Sequence, residues 1–235
     1  MDSLLFLCHR LPYPPNKGDK VRSYHFLKHL AGRYRVFLGT FVDDLADWKH
    51  DEQLKALCTD VHVESLSPRT RRVASATGFL TGEALTLPYF RSRRLRAWVQ
   101  ATTRREGIKR AFAYSSPMAQ YLADAPRVRR FIDFVDLDSA KWADYARTRR
   151  WPASALYARE ARRLLSFEKD VASRAEAVVF APSASTSQRS SWLPSAPANR
   201  RPNHLAPLEM VERPSGVVVG NLIRNTFRQT VVYGK

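Results

Sequence analysis

The chain is poor in cysteine, in long apolar runs and in acidic side chains. Its 235 residues hold two cysteines, Cys8 and Cys58. Two cysteines do not make a disulfide framework, so both are read as reduced thiols of a cytoplasmic protein. The apolar run Leu4-Leu5-Phe6-Leu7-Cys8 falls far short of the about 20 residues that a bilayer-spanning helix needs. Asp2 stands where a secretory signal would carry positive charge, and the run behind it is too short for one. Several motifs are also missing. There is no P-loop, no G-x-G-x-x-G and no G-x-S-x-G elbow behind Ser115-Ser116. No zinc finger, helix-turn-helix or RNP-like pattern is present, which disfavours nucleic acid as the partner of a basic chain.

What is present is a globular composition, 44% hydrophobic and 26% charged, with a formal charge of +17 from 39 Lys and Arg against 22 Asp and Glu. Up to residue 180, short apolar runs alternate with amphipathic stretches. Strands are expected at residues 4–9, 36–41, 61–63, 111–114, 130–135 and 177–180. Helices are expected at 18–31, 45–57, 69–80, 91–105, 117–123 and 152–175. Val21, Tyr24, Leu27 and Ala31 mark the buried stripe of the first helix, and Asp44 is the N-cap of the second. This rhythm predicts a doubly wound parallel α/β sheet, with chemistry in the loops after Cys8, Phe41, Tyr114 and Val135. From residue 181 the rhythm stops. Residues 181–235 hold six of the 14 prolines and one strand candidate, Gly216 to Gly220. They read as a disordered tail or as the product of a shifted reading frame.

The charge is concentrated. Eleven basic residues between Ser67 and Arg110 face only Glu83 and Glu106. Arg91, Arg93, Arg94 and Arg96 with Trp98 form the densest part. Such a segment suits an anionic membrane surface, a phosphate backbone, or simply a solvated arginine-rich face.

Three places could carry chemistry. The proline-stiffened loop His9 to Lys20 ends in Asn16, Lys17, Gly18 and Asp19, where a helix N-terminus could meet an anion; a plain tight turn is the alternative. Asp133, Asp136 and Asp138 sit at or past a strand end, placed to accept hydrogen bonds from sugar hydroxyls or to act as a general base. Asp133 is expected on one sheet face with Val135, and Asp138 is alternatively a helix cap. Glu168 falls within the apolar stripe of the last helix, where an arginine partner is expected. His25 and His29 are four residues apart, but no third ligand accompanies them, so no metal is expected.

His9-Arg10-Leu11-Pro12-Tyr13-Pro14-Pro15-Asn16-Lys17-Gly18-Asp19-Lys20 resembles the opening loop of a subgroup of family 4 glycosyltransferases that accompanies the PEP-CTERM/exosortase system. Leu38 to Asp44, Leu80 to Ala84, Asp133 to Trp142 and the stretch around Glu160, Arg163 and Glu168 are similar to the same subgroup. The resemblance spans residues 3–180. It implies the N-terminal, acceptor-side half of a GT-B fold and transfer from a nucleotide-sugar donor to an exopolysaccharide or lipid-linked acceptor. The nucleotide-sugar is a substrate in that family, and no cofactor is implied. It also implies a cytoplasmic location, peripheral on the inner face of the membrane. After residue 180 the family pattern is lost, and Glu209 and Glu212 are too close together to be its spaced donor glutamates. The expectation is therefore a transferase by descent, truncated or frameshifted and inactive alone. A non-catalytic membrane- or partner-binding module is the alternative, and a nucleic-acid-binding protein the second alternative.

Overall fold

A computed structural model describes residues 1–43 and 51–179. Asp44 and the first part of the helix expected at 45–57 lie outside the described residues, as do Gly216 to Gly220, Glu209, Glu212 and the rest of the tail.

Six strands form one sheet: β1 (Ser3–Cys8), β2 (Arg35–Val42), β3 (Asp60–Ser65), β4 (Arg110–Tyr114), β5 (Arg129–Asp133) and β6 (Ala177–Val179). The order is β3-β2-β1-β4-β5-β6, and every pairing is parallel. This is the doubly wound, Rossmann-like order, with the direction of strand addition reversing between β1 and β4. β1 and β2 are apolar on both faces because helices cover both. Alternation along β1 sends Leu4, Phe6 and Cys8 to one core and Leu5 and Leu7 to the other.

Helix α1 (Gly18–Ala31) packs on the first of these cores through Phe26, Leu27 and Leu30. Its buried face is Lys20, Ser23, Phe26, Leu27 and Leu30, whereas Val21, Tyr24 and Ala31 are only half-buried. Both sets share helical spacing, so periodicity alone does not choose between them. Helix α2 (Asp51–Lys55) follows, and its Leu54 is buried in the same core.

The other face is covered by α5 (Arg93–Arg105), whose Leu95 and Val99 meet Leu7 and Phe37 in the second core. The Ser92 hydroxyl caps α5 by accepting from Leu95 N at 3.2 Å. Gly39 lets this helix approach the sheet. A Cβ there would lie 2.9 Å from both Leu7 Cδ2 and Leu95 Cδ1 and 3.0 Å from Trp98 Cζ3. A buried 3₁₀ segment, Ser116–Leu122, links β4 to β5.

Two further pieces extend beyond the carboxyl ends of the strands. One is α3 (Pro68–Thr81) with the short α4 (Thr86–Tyr89). Proline at its first turn starts α3, and Gly82 at φ 72° ends it in the left-handed region. The other is the antiparallel pair α6 (Asp138–Thr148) and α7 (Ala153–Ser173). Glu160 of α7 fastens the two together. Its carboxylate accepts from Leu85 N at 2.6 Å, Thr86 N at 2.9 Å and Thr86 Oγ1 at 2.6 Å. Among the described residues no helix is long and apolar enough to cross a membrane.

Candidate functional site

Beyond the carboxyl ends of β1, β4 and β5 lies a cavity of about 670 Å³. It sits at the switch point of the strand order, where sheets of this kind bind ligands. Its floor comes from the residues after each strand: His9 and Arg10, then Ser115, then Phe134 to Asp136 and Asp138. Its walls are α3–α4 and the α6–α7 pair.

His9 stacks on Tyr114 with ring centroids 6.0 Å apart and meets Phe90 edge-on. Burial, then the Arg10 charge, lowers its pKa to about 4, so the ring is neutral near pH 7. Its Nε2 lies 3.8 Å from Asp19 Oδ2. Arg10 bridges Asp19 and Asp43 at 3.0 and 2.9 Å. Burial alone would raise the Asp19 pKa, but the hydrogen bond and charge of Arg10 outweigh it and hold the carboxyl below its ordinary value.

Asp138 opens α6 as its first residue and faces the cavity, while the residue before it, Leu137, occupies the cap position. Burial raises its pKa to about 6. Behind it Glu168 is fully buried, accepts from Ser139 Oγ at 2.5 Å and is raised to about 8 by desolvation. Among the described residues no arginine pairs with Glu168. Protonation and the Ser139 hydroxyl take the place of the expected partner.

The sequence candidates are thus sorted. Asp19, Asp136 and Asp138 come together around the cavity. Asp133 does not. It is fully buried and bonded to Arg22 of α1 and to Val135 N. The strand ends at Asp133, and Val135 turns to φ 57°, so the two residues do not share a sheet face. Asn16, Lys17 and Gly18 are exposed and lie outside the cavity. Nothing lies within 4 Å of a Cβ built on Gly18, so the turn does not require glycine.

The basic stretch also divides. Arg93 and Arg94 are exposed, and Arg96 lies 3.5 Å from Asp124. Arg91 turns inward to Glu83 and Gln120. Trp98 is not a surface anchor. It stacks on His62 and donates to Asp60 Oδ2 at 3.2 Å, because the Gly39 gap draws it against the sheet.

Of the four loops expected to carry chemistry, those after Cys8, Tyr114 and Val135 line the cavity and the described part of the one after Phe41 does not; His9, Ser115, Trp142, Tyr157 and Glu160 are lining residues that the sequence did not single out as such. His9 and Ser115 each follow a strand that flanks the switch point, a signal available in the alternation itself. The walls depend on how the helix pair folds back, which has no local signature. Among the described residues no group of three or more His, Cys, Asp or Glu is placed to hold a metal ion.

No protein-family model matches the chain, and no curated protein matches it. Among solved structures it is similar to the N-terminal domain of Candida albicans trehalose-6-phosphate phosphatase, at 14% identity and a TM-score of 0.41. That match covers 76% of this chain and 40% of the other, so the chain spans less than half of that structure's length.

Proposed function

We propose that the chain is a glycosyltransferase by descent and that this domain serves the acceptor side of sugar transfer. The donor is a nucleotide-sugar, and the acceptor is a hydroxylated glycan of the exopolysaccharide-precursor or lipid-linked kind. The cavity at the switch point supports this reading: a hydroxyl, a neutral imidazole and carboxylates converge there from three strand ends. Asp138 is the group suited to accept a hydrogen bond from the reacting hydroxyl and to draw on its proton. The resemblance of the loop at residues 9–20 and of residues 133–142 adds to this, because both segments supply cavity residues.

The test is transfer of labelled sugar from a nucleotide-sugar to a glycan acceptor by the full chain supplied with a separate donor-binding domain, because the chain alone is expected to be inactive. Label in the glycan, lowered at least about tenfold by Asp138→Ala, supports the reading.

A second reading is a non-catalytic module on an anionic membrane. The described residues leave Leu80 89%, Trp151 81% and Val73 75% exposed. These lie on α3 and in the turn between α6 and α7, beside exposed Arg69, Arg72, Arg147, Arg149 and Arg150. Bare apolar side chains among arginines suit the headgroup region. Liposome binding without any sugar transfer moves the function to this reading.

A further inference from the structure

The charge of the cavity bears on what fills it. Asp19, Asp136, Asp138 and Glu160 line it against Arg10 and Lys141. Arg10 is committed to Asp19 and Asp43, and Glu160 to the backbone and hydroxyl of residues 85–86. A phosphate placed there meets a surplus of carboxylates in a partly desolvated space, where like charges repel more strongly than in water. The one helix N-terminus expected to attract an anion, at Lys17 and Gly18, lies outside.

The groups with capacity to spare are those that bind hydroxyls. Ser115 is 6% exposed and lines the cavity, and its hydroxyl makes no hydrogen bond among the described residues. The residue is held at φ 81° and ψ 140°, a region that belongs to glycine. Val135, also in the lining, is held at φ 57°. The His9 ring lines the cavity, and its Nδ1 is buried with no hydrogen-bond partner among the described residues. The contact of Asp138 with Ser116 Oγ is a long 3.5 Å. A serine hydroxyl, a neutral imidazole and carboxylates can between them donate to and accept from neighbouring alcohols. Aromatic rings stand in the walls. Trp142 and Tyr157 lie 5.3 Å apart, and Tyr89 and Phe90 5.0 Å apart. Apolar ring faces beside a few placed polar groups make a pocket for a ligand with both characters.

We propose that this cavity binds the uncharged, hydroxyl-bearing end of a glycan and excludes phosphate-bearing ligands. The proposal rests on the acceptor-side reading and narrows it: where an acceptor carries phosphate, the phosphate lies outside the cavity.

Calorimetric titration of the full chain with neutral methyl glycosides and disaccharides, and with the same sugars bearing a phosphate, tests it. The neutral sugars are expected to bind and to change tryptophan fluorescence through Trp142. The phosphorylated forms are expected to bind at least about tenfold more weakly, and inorganic phosphate is not expected to compete. Ser115→Gly removes the hydroxyl while relieving the backbone, so it should fold and yet weaken neutral-sugar binding by about fivefold or more. Tighter binding of the phosphorylated sugars, competition by inorganic phosphate, or no binding of any neutral sugar overturns the proposal. Neutral-sugar binding without sugar transfer even when a donor-binding domain is supplied leaves the proposal standing and removes the transferase reading. Transfer to an acceptor whose phosphate occupies the cavity does the reverse.

Discussion

Arg22 of α1 donates through Nε and Nη2, at 3.0 and 2.8 Å, to one carboxylate oxygen of Asp133 at the end of β5. The other oxygen accepts from Val135 N at 2.8 Å. One of the three carboxylates that the sequence offers to a sugar is therefore spent on tying α1 to the far half of the sheet. Burial raises its pKa even against the Arg22 charge, so the pair is held by geometry more than by a favourable site for charge. Breaking such a buried pair from one side costs about 3–5 kcal/mol. Asp133→Asn is expected to lose roughly that much in urea unfolding. Glycan affinity per folded molecule should stay unchanged, because Asp133 does not line the cavity. A loss of affinity at unchanged stability would return Asp133 to the site.

The two glycines test opposite roles. Gly18→Ala should be neutral or stabilising by up to about 1 kcal/mol, since the position has open space and alanine is the better helix former. Gly39→Ala should cost about 1–3 kcal/mol, because its methyl would overlap Leu7, Leu95 and Trp98. Thermal unfolding of both variants decides. An intolerant Gly18 would restore the reading of that turn as a close-approach phosphate loop.

Glu168 carries a pH signature. Its folded pKa is about 8 against an ordinary 4.5, so between those values the folded protein holds a proton that the unfolded chain has released. Stability from this group therefore falls as pH rises from 4.5 to 8. Asp138 has the same sign at lower pH, and His9, lowered to about 4, has the opposite sign below 6.5. Comparing Glu168→Gln with the parent isolates the first effect. Melting temperatures at pH 5 and pH 8 should show the variant gaining on the parent by about 5 °C or more across that range. An equal difference at both values would mean that Glu168 is ionised throughout.

The sheet was legible because β1, β2, β4 and β6 are short apolar runs between polar breaks, and β1, β2 and β4 are buried on both faces. The site was legible only in part. Strand ends announce themselves, so Asp136 and Asp138 were found along with Asp19. Asp133 was not separable from them, since its partner Arg22 lies 111 residues away. The Trp98 environment was equally hidden, because it depends on the space left by Gly39 on another strand. Neither relationship leaves a periodic or local mark.

Glu160 should act as the fastener of the cavity wall. It is 3% exposed and accepts three hydrogen bonds from Leu85 and Thr86. Glu160→Ala leaves two backbone donors and one hydroxyl without partners, at about 1–3 kcal/mol for each group left buried. Hydrogen exchange at residues 85–86 should speed up by at least about tenfold, ahead of the sheet. Unchanged exchange there would mean that the small core of Ala84, Leu87 and Leu164 holds the segment without the carboxylate.

Two surfaces compete for the membrane role, and they differ in what they expose. The α5 face offers Arg93 and Arg94 but no free aromatic residue, because Trp98 is committed to the sheet. Helix α3 and the α6–α7 turn offer exposed Leu80 and Trp151, each with exposed arginines close by in sequence. Charge alone gives about 1 kcal/mol per cation near an anionic surface, and inserted side chains add the burial of their apolar area. Trp151→Ser with Leu80→Ser should therefore lower binding to vesicles with anionic lipid by about tenfold or more, and the residual binding should vanish at high salt. Arg93→Gln with Arg94→Gln should have the smaller effect. If the order is reversed in a co-sedimentation assay, the basic face of α5 is the contact surface and the exposed Trp151 serves another purpose.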